Sequence, residues 1–249
     1  MSSLDGLLAL HDSNPEWIRV TDGGGAVVLD RWREDPDLLA IQGLWAPRGH
    51  VPELVRDVIR LAGGWRHAGT LSPLVTDADA APYLDAGMRP HARLVAFMRS
   101  LDSVPAVPET PYEPRLATEE DLDAILAVDA ACFGEFWRYG RREVVRALAG
   151  DRVTVCPGAG GEVTGYLVVT LRGASATISR IAVAPQARRA GIGSLLIADA
   201  LRWAGDARAL GVSLCTQEEN SASRALYSAT GFTEVADRYS LLVSGAQPT

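Results

Sequence analysis

The stretch from Ser175 to Arg208 constrains this chain more than any other. Thr177 to Val183 mixes β-branched and apolar residues in a short run ended by Pro185, which predicts a strand. From Ile192 the period changes. Ile192, Leu195, Leu196, Ala200, Trp203 and Ala207 recur at steps of three and four, the stripe of an amphipathic helix. Asp199, Arg202 and Asp206 share another, charged face. Between strand and helix lies Arg188-Arg189-Ala190-Gly191-Ile192-Gly193. Glycines there permit a positive φ or a close approach of backbone to ligand. The first amides of a helix lack intrahelical acceptors and sit at its positive end. Two arginines add full charge, so the corner reads as a phosphate cradle.

The rest of the composition narrows the partners. A chain of 249 residues, 47% hydrophobic and 22% charged, is expected to be globular, as one large domain or two small ones. A net charge of -7 argues against nucleic acid. All 24 basic residues are arginine, so the protein has no lysine of its own to acetylate. Cys132, Cys156 and Cys215 match no metal or redox spacing, and free thiols in a reducing compartment are expected. His11, His50, His67 and His91 are not at metal-ligand spacing, so no metal is expected. The start, MSSLDGLLALHD, has no basic n-region and too short an apolar run for a signal peptide. No apolar stretch reaches membrane-spanning length. A cytoplasmic protein without a membrane partner is expected.

Before the cradle, strands are expected at Val27–Leu29 and Leu38–Trp45, and a helix from Pro52 to Leu61 with Val51, Leu54, Val55, Val58, Ile59 and Ala62 on one face. A short strand at Leu71–Val75, a helical turn at Pro82–Ala86 and a strand at Leu94–Met98 complete this block. Three prolines within 105–111 mark a linker. The expected organisation is therefore 1–104, a linker at 105–111, and 112–249. In the last block Tyr112–Leu116 reads as a strand, and Thr118 with Asp121 as a capping box. Helices follow at Leu122–Phe133 and Arg141–Ala149, then antiparallel strands at Arg152–Cys156 and Glu162–Leu171. After the organising strand and helix come a strand at Gly211–Thr216 and a short helix capped by Asn220 and stopped by Gly231. Thr233–Val235 and Arg238–Val243 make a final strand or pair.

Two motifs together resemble the GCN5-related N-acetyltransferase (GNAT) superfamily. Arg188-x-x-Gly191-x-Gly193 matches its acetyl-CoA motif, after Val183-Ala184-Pro185. Asn220-x-x-Ser223-x-x-Leu226-Tyr227-x-x-x-Gly231-Phe232 matches its second signature. Either alone is a loose pattern; both in order, with the expected helix and strand between, are specific. The resemblance covers a little over half of the chain, from Tyr112 to Val243. The first block is similar to a second, degenerate copy. Tyr83-x-x-x-Gly87 echoes Tyr227-x-x-x-Gly231, and Ala46-Pro47 echoes Ala184-Pro185. Its loop Arg48-Gly49-His50 lacks the second glycine, so no cofactor is expected there. Tandem forms with one silent half exist in this superfamily. The implied fold is mixed α/β (α+β), with two GNAT-like mixed-sheet domains and the N-terminal one truncated.

The resemblance implies an acetyl-CoA-dependent N-acetyltransferase without a metal. The cofactor-binding residues it implies are Ile181, Ala182 and Val183, Arg188, Arg189, Ala190, Gly191, Ile192, Gly193 and Ser194 at the cradle, and Asn220 with Ser223. Tyr227 falls on the family's usual general acid, which protonates the leaving thiolate. A lysine-like amine must lose a proton before attack, and the base is open. Glu135 is the first candidate and Asp129 the second, since Ser179 stands where some relatives carry a glutamate. Phe136, Trp137 and Tyr139 line the acceptor pocket or pack between the two halves. The acceptor is a small-molecule amine or amino-acid derivative. The alternatives are a protein N-terminus or, in another class, a non-catalytic acyl-CoA-binding module. A monomer and a homodimer are equally compatible with the sequence.

Overall fold

The computed structural model describes residues 18–20, 25–33, 35–47, 49–103 and 110–245, with backbone only at 18–20. The N-terminal segment with His11, Arg48, and 105–109 of the expected linker lie outside the described residues.

The chain divides into two compact units, Met1–Leu94 with Asp237–Thr249, and Val95–Ala236. The changeovers fall inside two strands, β6 (Arg89–Ser100) and β12 (Thr233–Gly245). These compact units do not coincide with the expected sequence blocks 1–104 and 112–249, which rest on the proline-rich linker. Prolines report local chain stiffness; they carry no information about which compact unit a strand end joins.

In the first unit, β1 (Ile18–Val20), β2 (Ala26–Arg31) and β3 (Leu38–Trp45) pair antiparallel in turn. β3 then pairs in parallel with β4 (Gly69–Leu71), and β12 runs antiparallel to β4 and to β5 (Val75–Thr76). The short strand expected over Leu71–Val75 is thus two, split at Pro73, which has no N–H for a ladder. Helix α1 (Val51–Gly64) buries Val51, Leu54, Val55, Val58 and Ala62 against Leu29, Leu39 and Ile41 of the sheet. Helix α2 (Ala81–Asp85) adds Tyr83, and β12 adds Leu242 to this core.

In the second unit, β7 (Arg115–Leu116), β8 (Arg152–Pro157), β9 (Val163–Arg172) and β10 (Ser175–Val183) form an antiparallel series. β10 pairs in parallel with β11 (Gly211–Gln217), and β6 neighbours β11. β7 is shorter than expected because Pro114 precedes it. Helices α3 (Leu122–Cys132) and α4 (Arg141–Gly150) share a core with Val153, Val155, Tyr166 and Val168. Helices α5 (Ile192–Asp206) and α6 (Ser221–Ala229) share another with Phe97, Leu167, Val169 and Ile178. Alternation along β9 explains the split: 167 and 169 face one core, 166 and 168 the other. Thr118 and Asp121 make their box through the Thr118 amide, 2.9 Å from Asp121 Oδ2. The fold is mixed α/β throughout.

Candidate functional site

The site begins with one extra residue. Along β10 the register with β9 runs to Ile178–Val169 and resumes at Arg180–Val168, leaving Ser179 as a bulge. A bulge reverses which face each later residue takes. Ala176 and Ile178 face the α5 core, whereas Ala182 and Ala184 face the α3 core. Ile181 and Val183 therefore pack toward the α5 side.

At the same point β10 and β11 part. Their parallel pairing covers Ser175–Ile178 against Gly211–Leu214 and ends there. Ala184 donates its amide to Thr164 of the β9 side at 2.8 Å, and the Ala182 carbonyl lies against Gly165. Backbone groups alternate in direction along a strand, so the amides and carbonyls of Ile181 and Val183 point into the fork. Ala182 is the exception among the expected cradle residues: its polar groups turn to β9 and its side chain is buried.

Helix α5 starts at the mouth of this fork. Gly191 caps it at φ 80°, a left-handed value suited to glycine, and Arg189 precedes it at φ 64°. A Cβ on Gly193 would lie 3.9 Å from Val183 Cγ2 and 3.0 Å from Leu226 Cδ2. That glycine lets α5 and α6 come together; ligand approach is not needed to explain it. Ile192 is buried, leaving its amide for the cradle, and Ala190 and Ser194 are half-buried. Arg188 and Arg189 are exposed. Arg188 Nε donates to the Val183 carbonyl at 3.2 Å, which also accepts from Cys132 Sγ at 3.2 Å.

Tyr227 stands on α6 with 4% of its surface exposed. Its ring meets Phe97 edge-on at 5.5 Å and Phe232 at 6.2 Å. Burial pushes its phenol above the usual value, opposed by a hydrogen bond with Ser223 and reinforced by Cys215. Cys215 is the first β11 residue beyond the last paired one, so the phenol belongs to the fork. Asn220 caps α6, its Oδ1 accepting from the Ser223 amide at 3.1 Å.

The two carboxylates read as base candidates separate sharply. Glu135 opens a short 3-10 turn, Glu135–Trp137, and is exposed. Asp129 is wholly buried and engaged by Arg180, Tyr166 and the Tyr139 amide. A carboxylate held by a bidentate guanidinium in the core is no proton acceptor for a solvent-delivered amine. Arg180, which sequence reasoning missed, is 7% exposed. Its bulge-reversed position on the strand was the missing signal. Phe136 is buried, and the Tyr139 ring packs on Arg180.

A forked parallel pair, a glycine-led helix start at its mouth and a buried tyrosine beside it form one arrangement. Residues 122–232 match the family model described as the Acetyltransferase (GNAT) family. The chain thus carries a GNAT-family domain over these residues. It is accordingly an acyltransferase, of a fold that takes its acyl group from acetyl-CoA. Among solved structures it is similar to a tandem GNAT protein from the clavulanic acid biosynthesis pathway. Identity is 21% over 92% of this chain and 82% of that one, with a TM-score of 0.68. GNAT proteins from Sphaerobacter thermophilus and Kribbella flavida are 16% identical. They cover 90% and 96% of this chain and 77% and 96% of their own, each with a TM-score of 0.64. These likenesses establish a tandem GNAT fold. No curated protein sequence matches the chain. Among the described residues no helix is long and apolar enough to cross a membrane.

Proposed function

We propose that this GNAT protein moves an acetyl group from acetyl-CoA to a primary amine of a small molecule or amino-acid derivative by direct attack. The observation that carries the reading is the fork after Ile178 and Leu214, edged by the polar groups of Ile181 and Val183.

The residues fit the donor. A strand edge without a partner strand suits an extended amide-bearing arm, which pairs with it as an added strand. The first-turn amides of α5 and the exposed Arg188 and Arg189 suit its phosphates. In the reaction the amine nitrogen bonds to the thioester carbon while the carbonyl π electrons move to oxygen. An amide of Ile181 or Val183 donates to that oxyanion. The electrons return, the carbon–sulfur bond breaks, and the Tyr227 phenol protonates the departing thiolate. A phenol is protonated at neutral pH, as a general acid requires, and burial raises the Tyr227 value further. The amine's surplus proton passes to water or to Glu135.

The first unit is the silent copy in this reading, and it binds no second acetyl-CoA. In sequence terms the silent copy is 1–104 and the catalytic copy 112–249, joined by 105–111.

The test is thiol release from acetyl-CoA with a panel of small amines, amino acids and short peptides. Release with small amines is expected. Release with peptides alone moves the acceptor to a protein N-terminus. Measurable cofactor binding with no release for any amine sinks the enzymatic reading.

A further inference from the structure

The buried ion pair noted above joins the acceptor-side loop to the donor strand, and the inference drawn from it rests on the acyl-transfer reading. Asp129 Oδ2 accepts from Arg180 Nε at 2.7 Å, and Oδ1 from Arg180 Nη2 at 2.7 Å. Oδ1 also accepts from the Tyr139 amide at 2.7 Å, and Oδ2 from the Tyr166 hydroxyl. Arg180 Nη2 donates again to the Trp137 carbonyl at 2.9 Å. The guanidinium carbon lies 3.4 Å from the Phe133 ring centre and 4.1 Å from that of Tyr139.

Phe133, Trp137 and Tyr139 all belong to the loop between α3 and α4. Arg180 immediately precedes Ile181, whose backbone edges the fork. One guanidinium therefore ties that loop to the donor strand, which is itself held in place by its ladder with β9. A bidentate fork sets angle as well as distance, and a lysine in its place sets only distance. Burial alone disfavours the charged guanidinium, and the Asp129 carboxylate overcomes this, so its proton is held more tightly than usual. Desolvating such a pair is costly, and it is a poor source of stability. Its hydrogen bonds go to loop backbone, an amide and a carbonyl, which is what a positioning device requires. The Ser179 bulge completes the device, because without it Arg180 would face the other core.

We propose that Arg180 and Asp129 are positioning residues that hold loop 133–139 against the donor strand and so set the acceptor side of the site. The donor side, built by α5 and the fork, does not depend on them.

Steady-state kinetics in both substrates tests this, with an amine that the parent acetylates and below the melting temperature of every variant. Arg180→Lys keeps the charge and loses the fork. Its acceptor KM is expected to rise about tenfold, the scale of one charge-assisted hydrogen bond, while the acetyl-CoA KM stays within about threefold. Deuterium uptake of peptides covering 133–140 rises, while that of α5 peptides does not. Tyr166→Phe, a milder variant that removes one hydroxyl, repeats the same split at about threefold. Equal rises in both KM values overturn the proposal, as does a loosened loop with an unchanged acceptor KM. A parent inert toward every amine overturns the acyl-transfer reading and this inference with it, before any variant is made.

Discussion

Two corners of this chain share one construction and differ in what they can hold. β3 pairs in parallel with β4 over Leu38–Ala40, and β10 with β11 over Ser175–Ile178. Each strand then runs on without that partner, to Trp45 and to Val183. Each corner turns through a glycine at positive φ, Gly49 at 86° and Gly191 at 80°, into a helix. There the likeness ends. α1 opens with Val51-Pro52-Glu53, in which Pro52 offers no N–H and Glu53 places a negative charge in the first turn. α5 opens with Ile192-Gly193-Ser194, which offers three amides, has no acidic residue in that turn, and follows two arginines. The strand–loop–helix path is thus a property of the fold. On the proposed reading, the capacity for an anion lies in the three donors and two charges added to it.

The tyrosines repeat the lesson. Tyr83 on α2 and Tyr227 on α6 are both buried, at 7% and 4% exposure, each four residues before a glycine at positive φ. Tyr227 neighbours Ser223 and Cys215 at the fork, whereas the Tyr83 phenol is pushed up to about 12 by burial and then by Asp79. The largest contrast expected is in turnover. Tyr227→Phe should lower kcat by about 100-fold or more, the lower range for a general acid, and Tyr83→Phe should leave it unchanged. Because the Tyr227 phenol titrates above its usual value, parent activity should not fall through its ionisation until beyond about pH 10. Equal kcat values for Tyr227→Phe and parent across the pH range remove the acid assignment and the functional asymmetry with it.

Much of this contrast was legible in the sequence because it is local. The α1 stripe, the Thr118–Asp121 box, the Asn220 cap and the Gly191 turn depend on residues within a few positions of each other. What was not legible depends on distant partners or on register. Arg180 and Asp129 are 51 residues apart, and nothing local marks Asp129 as buried, so it read as a candidate base. The Ser179 bulge is one unpaired residue with no side-chain signature, yet it reverses the facing of every residue after it in β10. Gly193 read as clearance for a ligand because its neighbour Leu226 lies on another helix. The changeover points inside β6 and β12 have no sequence mark either.

Stability at high pH separates the two tyrosine environments by a second route. Below about pH 10 the Tyr83 phenol is protonated in both folded and unfolded chains, so its contribution is constant. Between pH 10 and about 12 the unfolded phenol ionises while the folded one keeps its proton, so stability falls as pH rises. A shift of this size is worth about 2–3 kcal/mol across that window. Urea melts at pH 9 and pH 11.5 should show Tyr83→Phe losing less stability than the parent. The remaining slope belongs to Tyr166 and Tyr227 and to the thiols of Cys156 and Cys215, all shifted in the same direction. Identical slopes for variant and parent would show that Tyr83 is not held protonated.

The helix openings give a smaller effect that tests the first comparison directly. Ser194→Pro removes one first-turn amide from α5 without removing an intrahelical bond, as Pro52 does in α1. Acetyl-CoA affinity by calorimetry should weaken about tenfold, the scale of one hydrogen bond to a charged group. Pro52→Ala in α1 should leave the stoichiometry at one cofactor per chain. A second binding event in Pro52→Ala would mean that a single missing donor silences the first corner. An unchanged affinity in Ser194→Pro would move the phosphates away from α5.

The smallest effect concerns two glycines of α5 that differ only in their surroundings. A Cβ at Gly193 meets Leu226 Cδ2 at 3.0 Å, whereas a Cβ at Gly205 meets nothing within 4 Å. Gly205→Ala should therefore stabilise the chain by about 0.5–1 kcal/mol, the helix-propensity gain. Gly193→Ala should lose about 1 kcal/mol, since overpacking at the α5–α6 contact outweighs that gain. Pairing it with Leu226→Ala should give a non-additive result in a double-mutant cycle, because the two side chains compete for one space. Cofactor affinity decides what that space is for. If Gly193 serves helix packing, Gly193→Ala binds acetyl-CoA within about twofold of the parent, well under the effect of one lost hydrogen bond. If affinity instead falls further than stability, the glycine is there for the ligand, and the two-glycine motif acts as the sequence alone implied.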